Sequence, residues 1–324
     1  MNKNYRIAYF PPPSDKNSYT IRMTKILNSF GTVTPITPKR IGKLVNGWKR
    51  FDVIFFNWLE NRAFKKNGDV SFKGLILAFA WFQIMRIISK KIVYVKHNNY
   101  PHNIKEKNIS FSMNLMNYFE SHSDSAIVHA EYLSNCKRVY VPHPLYSFSN
   151  SNTDKKINKY GSYYVCFGRI EKYKKLDKLI ASWPKGYRLV IAGASNDAEY
   201  IDFLKRLGTG KDIIILDKFI SDEEAFDLVT NALYSILPCD SKCMIVSGSF
   251  FFSLSVRTMV IAVGNKFYES LENKDNALYV LNDISDVQTF IQNSTRNKIV
   301  INESFIKQFS DEVIISQLKK VFED

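Results

Sequence analysis

Short, nearly continuous apolar runs alternate with helically spaced segments from one end of this chain to the other, and that alternation leaves few folds open. In the first half the runs are residues 6–10, 32–36, 52–57, 91–96, 125–129 and 138–141, with helical stretches at 19–30 and 72–90 between them. Runs this unbroken suit parallel strands covered on both faces. Strands that alternate with helices predict a doubly wound α/β domain. Residues 145–160 break the rhythm with polar, aperiodic sequence and read as a linker. A second alternation follows: strands 163–167, 188–192, 213–216, 234–237 and 259–263, helices 176–183, 196–207 and 222–231, and a short helix opening at Ser247. Two such halves suit 324 residues, long for a single core and comfortable for two domains of about 150 each.

Composition narrows the classes. Hydrophobic residues at 45% with 14% aromatics exclude a disordered protein. The four cysteines, Cys136, Cys166, Cys239 and Cys243, lack zinc-ligand spacing and read as reduced, mostly buried thiols of a cytosolic protein. The first ten residues have no signal-peptide core or cleavage site and read as a strand. A net charge of +14 calls for an anionic partner, and nucleic acid, anionic lipid or a phosphorylated substrate would each satisfy it.

Two segments predict where an anion binds. Ser247-Gly248-Ser249 opens a short apolar helix. Small residues there leave unpaired backbone N–H groups and the positive end of the helix dipole accessible. Taken alone, Ser247 is an ordinary N-cap. About eighty residues upstream, however, a buried strand runs into Gly168-Arg169, with Lys174 just ahead of the next helix. Ligands of parallel sheets bind beyond the carboxyl ends of strands. There Arg169 would act as a planar fork and Lys174 as a point charge on a diphosphate. The alternative is a solvated basic turn.

Together these segments resemble the C-terminal half of bacterial GT-B glycosyltransferases of the surface-polysaccharide type. Val95-Lys96-His97-Asn98-Asn99-Tyr100-Pro101-His102 resembles the His-Asn…Pro-His segment of the N-terminal domain in one branch of that family. Asp124 to His129, followed by Val139 to Pro144, resembles the last strands before its domain linker. The resemblance implies two Rossmann-like domains with parallel sheets facing across a cleft. They would be an acceptor-side domain over 1–147, a nucleotide-sugar domain over 160–304, and a C-terminal helix over 305–324 returning to the first domain. It implies a nucleotide-sugar co-substrate, no cofactor, a glycan or lipid-linked glycan acceptor, and Arg169, Lys174, Ser247, Gly248 and Ser249 around the diphosphate. No Asp-x-Asp follows a strand, which disfavours a metal-bridged diphosphate. The family's paired glutamates would fall near Met244 and Phe252, and neither is acidic. Asp240 is then the nearby carboxylate that could reach the donor sugar. Lys175 stands where relatives usually carry Gly.

For the acceptor hydroxyl, His97 leaves a strand end, where it could act as general base or hydrogen-bond the donor sugar. Asn98 and His102 share its loop, and His143 sits between two prolines. Asn57, Trp58 and Glu60 leave a second strand end, with Glu60 a rival base and Trp58 a stacking surface for a sugar or simple packing.

The apolar stretch 72–90 is interrupted by Gln83 and Arg86 and falls short of the ~20 residues that span a bilayer. It reads as a crossover helix packed on the sheet whose outer side can rest on an anionic membrane surface. The enzyme is expected to be cytoplasmic, peripheral to the inner face of the membrane. Two other readings remain: a sugar-nucleotide epimerase of GT-B architecture, against which the shortage of carboxylates counts, and a basic nucleic-acid-binding protein, against which the dispersal of the charge and the lack of a recognised motif count.

Overall fold

A computed structural model describes residues 4–15, 17–39, 50–102, 104–148, 159–239, 243–271, 274–294 and 297–323. The chain divides into two compact units. The first comprises Met1–Pro144, Lys242–Val246 and Gln308–Asp324, the second Leu145–Ser241 and Ser247–Lys307.

The first unit is built on a six-stranded parallel sheet of β1 (Tyr5–Phe10), β2 (Gly31–Pro35), β3 (Phe51–Asn57), β4 (Ser89–Lys96), β5 (Ser125–Val128) and β6 (Arg138–Tyr140), in the order β2-β1-β3-β4-β5-β6. Both faces are covered, as the unbroken apolar strands require. On one face Ile54, Phe56, Ile92 and Tyr94 pack beneath α2 (Phe72–Ile88) and α3 (Ile109–Ser121). On the other Val53, Phe55, Val93 and Val95 meet α1 (Ser18–Leu27). The period-2 geometry of a strand thus sends neighbouring residues into different cores. Helix α3 has no counterpart among the helices read from the sequence.

The second unit repeats the plan with β7 (Tyr163–Phe167), β8 (Arg188–Ala192), β9 (Ile213–Leu216), β10 (Ser235–Leu237), β11 (Val260–Val263) and β12 (Leu278–Leu281), also all parallel, in the order β12-β11-β10-β7-β8-β9. Its helices are α4 (Leu176–Ser182), α5 (Ala198–Leu207), α6 (Asp222–Thr230), α7 (Gly248–Ser255), α8 (Lys266–Ser270), α9 (Val287–Asn293) and α10 (Glu303–Lys307). Edge strand β12 and helices α8 and α9 were not legible in the pattern. The single C-terminal helix expected over 305–324 is two helices. Helix α11 (Asp311–Glu323) starts afresh after Ser310, and its Ile314, Leu318 and Val321 join the first unit's core beside Met23 and Ile26 of α1. Phe322 stacks on Phe30 with centroids 4.5 Å apart.

Both sheets reverse their strand order beside the first strand: between β1 and β3 in the first unit, and between β7 and β10 in the second. Chains diverge there and leave a crevice beyond the strand ends.

Candidate functional site

In the second unit the crevice between β7 and β10 is lined by the predicted anion-binding segments. Gly168 follows β7 with φ of +116°. A side chain on it would come 2.8 Å from Lys174 Nζ and 2.9 Å from Ser249 Oγ, so its missing Cβ is what lets these two groups gather. Gly193, after β8, has φ of +154°, and a Cβ there would lie 2.2 Å from the Gly168 carbonyl oxygen. Two strand-end loops therefore touch backbone to backbone. Ser249 ties α7 to the same place, its hydroxyl donating to the Phe167 carbonyl at 3.0 Å. Ser247 caps α7 by accepting from the Phe250 N–H, and Gly248 opens the helix.

Lys174 is half-buried, and its ammonium makes no hydrogen bond among the described residues. Burial pulls its pKa below the ordinary lysine value, against the raising influence of Cys166, Cys239 and Glu171. The neighbouring Cys166 thiol is pushed up to about 11 by burial and stays protonated. An ammonium that is half-buried, without a hydrogen-bond partner among the described residues and beside a helix N-terminus, suits an anion. Arg169 is placed differently: its side chain is 60% exposed and its guanidinium pairs with Glu171 at 2.8 Å. Lys175 adopts the left-handed conformation with φ of +54°, a position that suits the glycine of the resembled family and strains a lysine. Asp240 lies outside the described residues.

In the first unit the crevice between β1 and β3 is bridged by Asn57, whose side-chain amide donates to the Phe10 carbonyl at 2.9 Å. That orients its oxygen toward His97, 2.8 Å from Nε2. His97 Nε2–H therefore donates to Asn57, and Nδ1 carries the lone pair. Trp58, with φ of +51°, stacks on the imidazole at 4.1 Å, which is the packing alternative read for it from the sequence. Strain of this kind persists only where packing enforces it.

Sequence reading singled out His143 but did not join it, His129 and Tyr19 to this cluster. His129 follows β5 as His97 follows β4, and Lys96 and Val128 are register partners, so the two imidazoles lie side by side at 5.2 Å. The paired positions after two adjacent apolar strands were the available signal. His129 Nδ1–H donates to the Val141 carbonyl at 2.8 Å, which leaves Nε2 to accept from the Tyr19 hydroxyl at 3.0 Å. His143 Nδ1–H donates to the Pro144 carbonyl at 2.9 Å, and its ring lies against Tyr19 and His129. All three histidines are buried. Burial lowers His129 to about 4 and holds His97 and His143 well below the usual imidazole range, so all three are neutral near pH 7.

Glu60 does not join them. It is buried on the opposite face of the sheet, where the Tyr94 hydroxyl donates to it at 3.2 Å and burial raises its pKa to about 7. Lys96, on that same face, pairs with Glu120 at 2.9 Å, and Arg138 grips the same carboxylate. Asn98 forms an isolated bridge with Met244, and His102 Nδ1 lies 2.9 Å from Cys243 Sγ, so segment 243–246 holds their loop. Among the described residues no group of three or more His, Cys, Asp or Glu is placed to hold a metal ion.

No family model and no curated protein matches this chain. Solved structures do. HepE of Anabaena, solved with UDP and glucose, is similar at a TM-score of 0.67 and 14% identity, over 99% of this chain and 100% of that one. AviGT4, a glycosyltransferase involved in avilamycin A biosynthesis, gives 0.60 and 12%, over 98% and 97%. TarM gives 0.57 and 11%, over 84% of this chain, which spans 55% of TarM. At these identities the likeness is one of fold, and the fold of this chain is GT-B.

Proposed function

We propose that this chain is a glycosyltransferase that moves a sugar from a nucleotide-sugar to a glycan acceptor. The observation that carries the reading is the half-buried Lys174 ammonium, without a hydrogen-bond partner among the described residues, beside the N-terminus of α7. As the bond to the sugar breaks, negative charge grows on the departing diphosphate. A cation and backbone dipoles already in position stabilise that charge without reorganising. In this reading Lys174 and the N–H groups of Gly248 and Ser249 receive the diphosphate, Arg169 assists from its rim, and no divalent ion takes part.

His97 serves the sugar hydroxyls. Asn57 holds its Nε2–H, and the Nδ1 lone pair is the remaining acceptor. Because burial makes the imidazole a weak base, the environment favours acceptance of a hydroxyl hydrogen bond over full proton abstraction. HepE was solved with UDP and glucose, and AviGT4 is described as a glycosyltransferase; both support this reading through the shared fold. A lipid-linked acceptor in surface-polysaccharide assembly, at the inner face of the membrane, is the finer proposal, and the basic composition supports it. Titration with UDP and GDP, followed by a nucleotide-sugar screen read by nucleotide release, tests the function. Saturable nucleotide binding that Lys174→Ala weakens markedly is expected. Undiminished binding in that variant would remove the diphosphate assignment.

A further inference from the structure

Helix α2 carries an apolar face that the rest of the described chain leaves uncovered. Its Ala78, Trp81, Phe82 and Met85 are buried. On the other side Phe72, Ile76, Leu77 and Ile87 are 76%, 53%, 48% and 55% exposed. A surface helix ordinarily turns polar residues to water. Here only Lys73, Gln83 and Arg86 interrupt the apolar sequence, and no acidic residue occurs in the helix. An exposed apolar patch with a polar rim marks an interaction surface.

The rim is basic. Lys65, Lys66, Lys73 and Arg86 are exposed, and none makes an ion pair among the described residues. That charge selects the occupant. A second copy meeting this face across a two-fold axis would set the same cationic rim against itself. An anionic bilayer complements both the rim and the apolar ridge. At 17 residues α2 is too short to cross, and no helix of the described residues is long and apolar enough to do so.

We propose that α2 docks this protein on anionic membranes, lying in the plane of the headgroup layer. Phe72, Ile76, Leu77 and Ile87 enter the acyl boundary, and Lys65, Lys66, Lys73 and Arg86 contact lipid phosphates. The inference rests on exposure and charge in the first unit and is independent of the transfer chemistry.

The full chain is sedimented with vesicles of phosphatidylcholine and of phosphatidylcholine mixed with phosphatidylglycerol, across salt. Binding to the mixed vesicles that weakens with salt is expected. Phe72→Ser/Ile76→Ser/Ile87→Ser should lower partitioning by about tenfold or more at every salt concentration, because the buried apolar area is lost. Lys65→Gln/Lys66→Gln/Lys73→Gln should lower it by about tenfold at low salt and little at high salt, where screening already removes the attraction. The substituted side chains are solvent-facing, and unchanged thermal melts confirm that both variants fold. UDP titration of the same preparations reports on the second unit, so membrane docking and nucleotide binding can fail separately. Wild-type partitioning by the triple serine variant, or no binding to anionic vesicles at any salt, overturns the proposal. A dimer in sedimentation velocity that the serine variant loses would assign the face to a second copy instead.

Discussion

The two units share a sheet plan and use its crevice in opposite ways. Where β1 and β3 diverge, Asn57, His97, Tyr19, His129 and His143 are buried, linked by hydrogen bonds and ring contacts. Where β7 and β10 diverge, Lys174 stands half-buried without a hydrogen-bond partner among the described residues. Topology sets the place of each crevice, and residue chemistry sets its charge state. A hydrogen-bonded, neutral network forms one wall, where His97 Nδ1 makes no hydrogen bond among the described residues. A cation without a hydrogen-bond partner among the described residues is what the proposed anion seat rests on.

Acid should break this comparison most strongly. Unfolded histidines take up protons below about pH 6.5, whereas folded His129 does so only near 4. Between those values the unfolded state binds more protons, so stability falls as pH falls. His97 and His143 act in the same direction. Glu60, raised from 4.5 to about 7, opposes them, since its protonation favours the folded state in that window. Urea denaturation of wild type and His129→Gln isolates one histidine, because Glu60 is common to both. The stability difference between them should shrink by about 3 kcal/mol from pH 7 to pH 4.

In the second unit, Lys174→Ala should cut turnover by about 10²-fold while circular dichroism stays unchanged, the scale expected for losing one stabilising group at a departing anion. Gly168→Ala sharpens the geometry of the seat. Its positive φ and the contacts a Cβ would make with Lys174 and Ser249 should cost about 1–2 kcal/mol of stability by thermal melting. Arg169→Ala should lower turnover by less than about tenfold, because an exposed ion pair contributes little and the side chain must leave Glu171 to help. EDTA should leave the rate unchanged; loss of activity restored by manganese or magnesium would place a metal in the reaction.

Much of the fold was legible. Strands 163–167, 188–192 and 213–216 were read at their observed bounds, because buried parallel strands leave unbroken apolar runs. Helix α3 was missed because its sequence, ISFSMNLMNYFES, mixes serine and asparagine into a weak stripe. Strand β12 was missed because an edge strand is covered less completely, and its Tyr279 is exposed. The break before α11 was invisible in the apolar spacing, since 305, 309, 313 and 314 keep helical period across Ser310.

At the site, sequence alone determined that a glycine, an arginine and a lysine follow one strand and that a small-residue cap opens a later helix, because these are local features of chemistry and spacing. Tertiary structure decided their surroundings. It paired Arg169 with Glu171 and left Lys174 without a hydrogen-bond partner among the described residues, a distinction between two cations five residues apart that no local pattern carries. It also separated Glu60 from His97 by a sheet and brought His97, His129 and His143 together from three strand ends. Strand register and sheet order set those distances, and both are properties of packing between segments remote in the chain.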